Sequence, residues 1–302
     1  SGEFSFRVFI PFILPRCAIK YVLSLILKTN VFVNIYMTLN TCILVNSCQK
    51  YKYIIDPFFT MLRRWWDKCD LPIYLACNGN LEEYKNKYDI KIIEQDDDYG
   101  FVEGRVHALK LLEEYDNVIM LQDDFIIERF VDNNKIHKMI EIMNTDKNIG
   151  CIRLMPCPGP KGEKHIFDNG EVLAEFKQDC WCRFSFQAAI WKRTYYIRFF
   201  EELKQDIISK MYLNHDIEYV DNLVNDPSYW RNIWFSLNIA EGKYGCQFTL
   251  RYPEKLLGII RDGDYSNAVY RSPIPYRPTA IVRGKLEDWA KELFKRESIN
   301  IT

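Results

Sequence analysis

The chain has 302 residues, with 40 Lys plus Arg set against 41 Asp plus Glu. That balance speaks against nucleic acid as the main partner, because a protein that tracks a phosphate backbone carries a clear basic excess. The length suits one large α/β domain or two modest ones, with enough chain to bury a substantial core.

Residues 1–37 are aromatic and apolar. Lys20 and Lys28 interrupt them, and the uncharged run 29–49 contains Asn30, Asn34, Asn40 and Asn46. A spanning helix needs about 20 mostly apolar residues. The stretch therefore reads as a segment packed on the domain, or in peripheral contact with a membrane, rather than as a span.

A first strand over 39–45 ends at Asn46-Ser47-Cys48. A helix follows from Asp56-Pro57, with Phe58, Phe59, Leu62, Trp65 and Trp66 at roughly helical spacing. A second strand over 72–77 ends in Asn78-Gly79-Asn80, a turn sequence. A third over 90–93 leads into Gln95-Asp96-Asp97-Asp98-Tyr99-Gly100, and 101–115 has a helical pattern.

The next stretch, Asn117-Val118-Ile119-Met120-Leu121-Gln122-Asp123-Asp124, has the continuous apolar run of a strand buried on both faces. Its two carboxylates fall at the carboxyl end, where open α/β sheets bind ligands. Adjacent carboxylates repel each other and are costly to keep charged near a core. A hard divalent cation carrying a diphosphate would compensate them. The other reading has one Asp capping the following helix and its neighbour in water.

Strand and helix alternate up to this point, which predicts a mostly parallel central sheet with helices on its faces. Beyond it the pattern gives a helix over 132–143, a strand over 149–154 and a breaker-rich, irregular stretch over 156–170. A strand over 180–190 leads into a helix reaching Leu203. A helix over 229–240 closes on Glu241-Gly242, and an amphipathic helix spans 286–294. The ten cysteines form no Cys-x-x-Cys pair, and the four His are dispersed. Reduced thiols in a cytoplasmic protein fit this better than disulfides or zinc.

Several of these segments resemble the GT-A glycosyltransferases. Asn46-Ser47-Cys48-Gln49-Lys50-Tyr51, the Asp56-Pro57-Phe58-Phe59 helix and Pro72-Ile73-Tyr74-Leu75 are similar to that family's nucleotide-binding opening. Leu121-Gln122-Asp123-Asp124 is similar to its Asp-x-Asp element. Ser185-Phe186-Gln187-Ala188-Ala189-Ile190-Trp191-Lys192 resembles the acceptor-side strand, and Val282-Arg283-Gly284-Lys285 the closing segment by the diphosphate.

The resemblance implies a Rossmann-like GT-A domain over 38–302, with a nucleotide-binding half over about 38–127 and an acceptor half over about 128–302. It also implies a nucleotide-sugar donor, UDP-linked in the first place, with Mn²⁺ or Mg²⁺. The acceptor would be a hydroxyl of a glycan, glycolipid or glycoprotein. Carried over residue by residue, Asp124 would bind the metal and Asp123 the ribose or the metal shell. Asn46 and Ser47 would line the nucleotide pocket with Gln122, Asn78 would face the base, and Arg105 would reach the ribose or phosphates.

Inverting transfer needs a carboxylate base. Glu241, seven residues after Trp234 and so on one helix face, is the first candidate, and Asp226 the second, although Asp226-Pro227 also has the form of a helix cap. Many members add a His near the carboxyl terminus to the metal shell, but the last His here is His215. Lys285 or Arg283 would then hold the diphosphate instead, or water would fill the position. A sugar-phosphate nucleotidyltransferase is the alternative enzyme, yet Asn46-Ser47-Cys48-Gln49 lacks the glycine-rich loop of that class. A non-catalytic carbohydrate- or nucleotide-binding protein is the alternative without turnover.

Overall fold

The computed structural model describes residues 40–301 apart from 80, 97–98, 157–158, 181, 236–242 and 262. The apolar segment 1–37 and Glu241 thus lie outside the described residues. The sheet is built from β1 (Thr41–Asn46), β2 (Ile73–Asn78), β3 (Lys91–Gln95), β4 (Asn117–Gln122), β6 (Ile149–Arg153), β7 (Lys164–Ile166), β8 (Val172–Glu175), β9 (Ala189–Lys192) and β10 (Lys255–Ile259). Their spatial order is β3-β2-β1-β4-β9-β6-β10-β8-β7. β8 and β9 run against the other seven, so the sheet is mixed but mostly parallel, as the alternation of elements predicts. A two-residue β5 (Ile126–Ile127) follows the carboxylates.

The central strands are apolar along their whole length because both of their faces are covered. Ile43, Val45, Ile119 and Leu121 point to one side and join Phe58, Phe59 and Leu62 of α1 (Ile55–Trp65). Cys42, Leu44, Val118 and Met120 point to the other. There they meet Ala108 and Leu109 of α3 (Phe101–Leu111), and Tyr195 and Phe199 of α5 (Arg193–Asn214). The short α2 (Glu82–Tyr88) lies between β2 and β3, and α4 (Asn133–Thr145) precedes β6. Asp132 caps α4 by accepting the Lys135 N–H at 3.0 Å.

Two elements differ from the sequence reading, and a third is described only in part. Among the described residues of 180–190 only Ala189 and Ile190 are in a strand, which continues to Lys192 as β9. Phe184 instead stacks on Phe199 (centroids 4.7 Å) and packs edge-on to Phe186 and Phe200, so ring packing rather than a ladder holds that stretch. The breaker-rich stretch 156–170 contains β7, which forms a hairpin with β8 about Gly170, at φ +83°. The expected helix over 229–240 is seen as α6 (Pro227–Phe235), and its remainder lies outside the described residues. No helix among the described residues is long and apolar enough to cross a membrane.

Candidate active site

β1 and β4 are parallel neighbours in register, so Asn46 and Gln122 stand side by side at their carboxyl ends. The backbone pairing runs one step further. Asp123 N donates to Asn46 O at 3.2 Å, and Ser47 N to Ala76 O at 3.0 Å. This places Ser47 beside Asp123, and the Ser47 hydroxyl donates to Asp123 Oδ2 at 2.5 Å. Asn46 turns its amide onto Leu121 O at 3.3 Å. Asn78, at the end of β2, accepts the Gln49 N–H at 2.7 Å and so anchors the loop after β1.

Asp123 is 7% exposed, and burial, the largest cause, pushes its carboxyl up to about 7. The Asp124 charge pushes the same way, while the Ser47 hydrogen bond and the Arg105 guanidinium pull it down. Burial lifts Asp124 to about 6 against the pull of Arg105 and the Ile281 N–H. Its Oδ1 is buried and has no hydrogen-bond partner. An oxygen in that state calls for a cation or a proton.

Among the described residues no three His, Cys, Asp or Glu side chains converge to enclose a metal. Two carboxylates suit a Mg²⁺- or Mn²⁺-like ion that takes its other oxygens from phosphate and water. The donor set therefore fits a cation shared with a ligand, not a closed protein site.

Arg105, on α3, is 4% exposed and donates from Nη1 to Phe101 O at 2.6 Å. Its guanidinium lies 3.5 Å from the Phe101 ring centroid and 5.3 Å from that of Phe186. Asn46, Arg105, Gln122, Ser185, Phe186 and Gln187 line a small pocket at this edge. The carboxyl-terminal hairpin of β12 (Ile281–Val282) and β13 (Lys285–Leu286) comes to the same edge. Ala280 N donates to Asp124 O at 3.1 Å, and a methyl group on Gly284 would lie 3.8 Å from the Tyr51 hydroxyl. Lys285, exposed on that hairpin, is thereby carried to the carboxylate side.

The structure thus gathers Asn46, Ser47, Asn78, Arg105, Gln122, Asp123, Asp124 and the hairpin bearing Lys285 at one end of the sheet. Asp226 is elsewhere in character: it is exposed, and its carboxylate accepts from Ser228 N at 2.8 Å and Ser228 Oγ at 2.7 Å. That is the bonding of a helix cap, and it holds the Asp226 pKa below its usual value. Sequence reasoning missed Tyr276, in β11 (Tyr276–Arg277), whose hydroxyl bonds to Gln187 in the pocket wall. Nothing in the linear sequence links two residues 89 positions apart.

No family model matches the chain, and no curated protein matches its sequence. Solved structures do. A cytidylyltransferase from Leptospira borgpetersenii is similar with a TM-score of 0.41 at 10% identity, over 86% of this chain and 95% of that one. The galactosyltransferase LgtC, in complex with donor and acceptor sugar analogs, is similar with a TM-score of 0.33 at 11% identity over 72% of each chain. The glycosyltransferase GlyE of Streptococcus pneumoniae gives 0.37 at 13% identity, over 88% of this chain and 66% of that one. Glycosyltransferases are among its structural neighbours. At these scores the likeness says nothing of the site's chemistry, which rests on the chain's own residues.

Proposed function

We propose that the chain is a glycosyltransferase that moves a sugar from a nucleotide-diphosphate sugar, UDP-linked in the first place, to a hydroxyl of a glycan, glycolipid or glycoprotein. One observation carries this reading: the Asp123-Asp124 pair closes the central strand β4 with a buried, unpartnered carboxylate oxygen, beside the polar ends of β1 and β2. A buried like-charged pair is costly unless a ligand compensates it.

In this reading Asn46, Ser47 and Asn78 form the nucleotide side, and Asp124 and Asp123 hold Mn²⁺ or Mg²⁺. The bound cation would neutralise the charge that grows on the departing diphosphate. Ser47 favours the ionised form of Asp123 by donating to it. Arg105, in the pocket wall, holds both carboxylates toward their charged form. Lys285 on the closing hairpin would add positive charge beside the diphosphate. Glu241 is proposed as the base that takes the acceptor proton in an inverting transfer.

Calorimetric titration with UDP, GDP, CTP and UDP-sugars, with and without Mn²⁺, tests the reading on the wild type and on Asp124→Asn. Metal-dependent binding of a nucleoside diphosphate that the substitution abolishes is the expected result. Binding of no nucleotide would overturn it, and pyrophosphate release from CTP with a sugar substrate would favour nucleotidyl transfer instead.

A further inference from the structure

Two glutamines face the pocket, and their amide orientations follow from the groups behind them. Tyr276 is 1% exposed and stacks on Phe125, with ring centroids 4.7 Å apart. Its Oη accepts the Ala188 N–H at 3.1 Å and donates to Gln187 Oε1 at 2.8 Å. The Gln187 Oε1 can only accept, so the phenol gives its proton there and takes the Ala188 N–H on a lone pair. The Gln187 NH₂ group is then left as a donor. Gln122 is set the opposite way: its Nε2 donates to Phe186 O at 3.2 Å, and since a carbonyl only accepts, Gln122 Oε1 remains as an acceptor.

Both side chains line the same pocket, next to the aromatic ring of Phe186. Tyr276 is also tied to the carboxylate loop, because it pairs with Ile127 of β5, three residues after Asp124.

We propose that Gln122 and Gln187 form an uncharged acceptor–donor pair that reads neighbouring hydroxyls of the donor's sugar, with Tyr276 as the positioning residue that fixes Gln187. A phosphate would want donors only, and the Gln122 oxygen repels it. A sugar diol offers one O–H to Gln122 and one lone pair to Gln187, with its apolar face toward Phe186. The pair sits next to the ends of β1 and β4, where a sugar hanging from the diphosphate would lie. This inference rests on the nucleotide-sugar reading above.

The test is the ratio of Kd for UDP to Kd for UDP-glucose, UDP-galactose and UDP-N-acetylglucosamine, in Mn²⁺, with GDP and GDP-mannose alongside. Loss of one ligand hydrogen bond is expected to change that ratio about tenfold for Gln187→Ala and for Tyr276→Phe, while Kd for the bare nucleotide stays as in the wild type. Because both variants remove one device, the double variant should show the same ratio as Gln187→Ala alone.

An unchanged ratio, an equal loss for nucleotide and nucleotide sugar, or effects that multiply in the double variant would each overturn the proposal. If the wild type binds no nucleotide at all, it is the transferase reading that has failed first, and this one falls with it.

Discussion

The Ser47 hydroxyl stands 2.5 Å from Asp123 Oδ2 and links the ends of two adjacent parallel strands through their side chains. The contact is more than a turn closure. It is the hydrogen bond that pulls the Asp123 pKa down against the cost of burial. Ser47→Ala should therefore raise that pKa above its value of about 7 and leave the carboxyl protonated at neutral pH. Groups that orient a metal-binding carboxylate are typically worth 10–100-fold in metal affinity. A loss of roughly that size in Mn²⁺-dependent nucleotide affinity is expected at pH 7 by calorimetry. The loss should shrink at pH 8.5, where the carboxyl ionises without help; a deficit that does not change with pH would count against this role for Ser47.

Burial also fixes the sign of a pH effect on stability. Asp123 and Asp124 have folded pKa values of about 7 and 6, above the ordinary 3.8. Between about pH 4 and pH 7 the folded chain thus binds more protons than the unfolded one, and stability from this pair falls as pH rises through the window. In EDTA the melting temperature should decline from pH 5 to pH 8, and less so in Asp123→Asn. Mn²⁺ added at pH 8 should raise it, because the ion replaces the missing protons. A metal-free profile that rises over this range would refute the assignment.

What the sequence made legible, and what it hid, follows from the range of the interactions. β1, β2 and β4 are readable because an apolar run buried on two faces is a local signal, and a strand end is a local place for Asp123, Asp124, Asn46 and Asn78. The stretch before β9 was misread because Phe184 and Phe186 satisfy themselves in a ring cluster, and aromatic residues suit either environment. β10 was missed because a five-residue run gains its meaning only by lying beside β6, about a hundred residues earlier. Tyr276 was out of reach for the same reason: its partners Phe125, Gln187 and Ala188 come from two other parts of the chain.

The two candidate bases can be separated by what each should lose. Asp226 is exposed, hydrogen-bonded to Ser228 and held below its usual pKa, which makes it a weak proton acceptor and a good cap. Asp226→Ala should lower the melting temperature slightly and leave turnover within about threefold, since no proton-transfer contribution of 10²–10⁴ is removed. Glu241→Gln should cut kcat by about 10²–10⁴ with nucleotide affinity intact, as expected for a general base. The opposite pattern, measured by steady-state kinetics on the two variants, would move the base to Asp226.

Gly79 shows how the turn after β2 shapes the nucleotide side. Its φ of +87° lies in the region that side chains disfavour, and a Cβ there would fall 2.5 Å from Gln49 Oε1. Gln49 is the residue whose N–H is held by Asn78, so the two ends of β1 and β2 are coupled through this turn. Gly79→Ala should cost about 1–2 kcal/mol for the positive φ alone, read from urea unfolding. The Gln49 side chain, whose Oε1 and Cδ are the nearest atoms to that Cβ, must then swing out of the turn. Nucleotide affinity should accordingly fall even at temperatures where the variant is fully folded, whereas Gly170→Ala, at another positive φ with nothing within 4 Å of its Cβ, should lose stability without losing affinity. Equal affinities in the two variants would show that the turn after β2 plays no part in the nucleotide pocket.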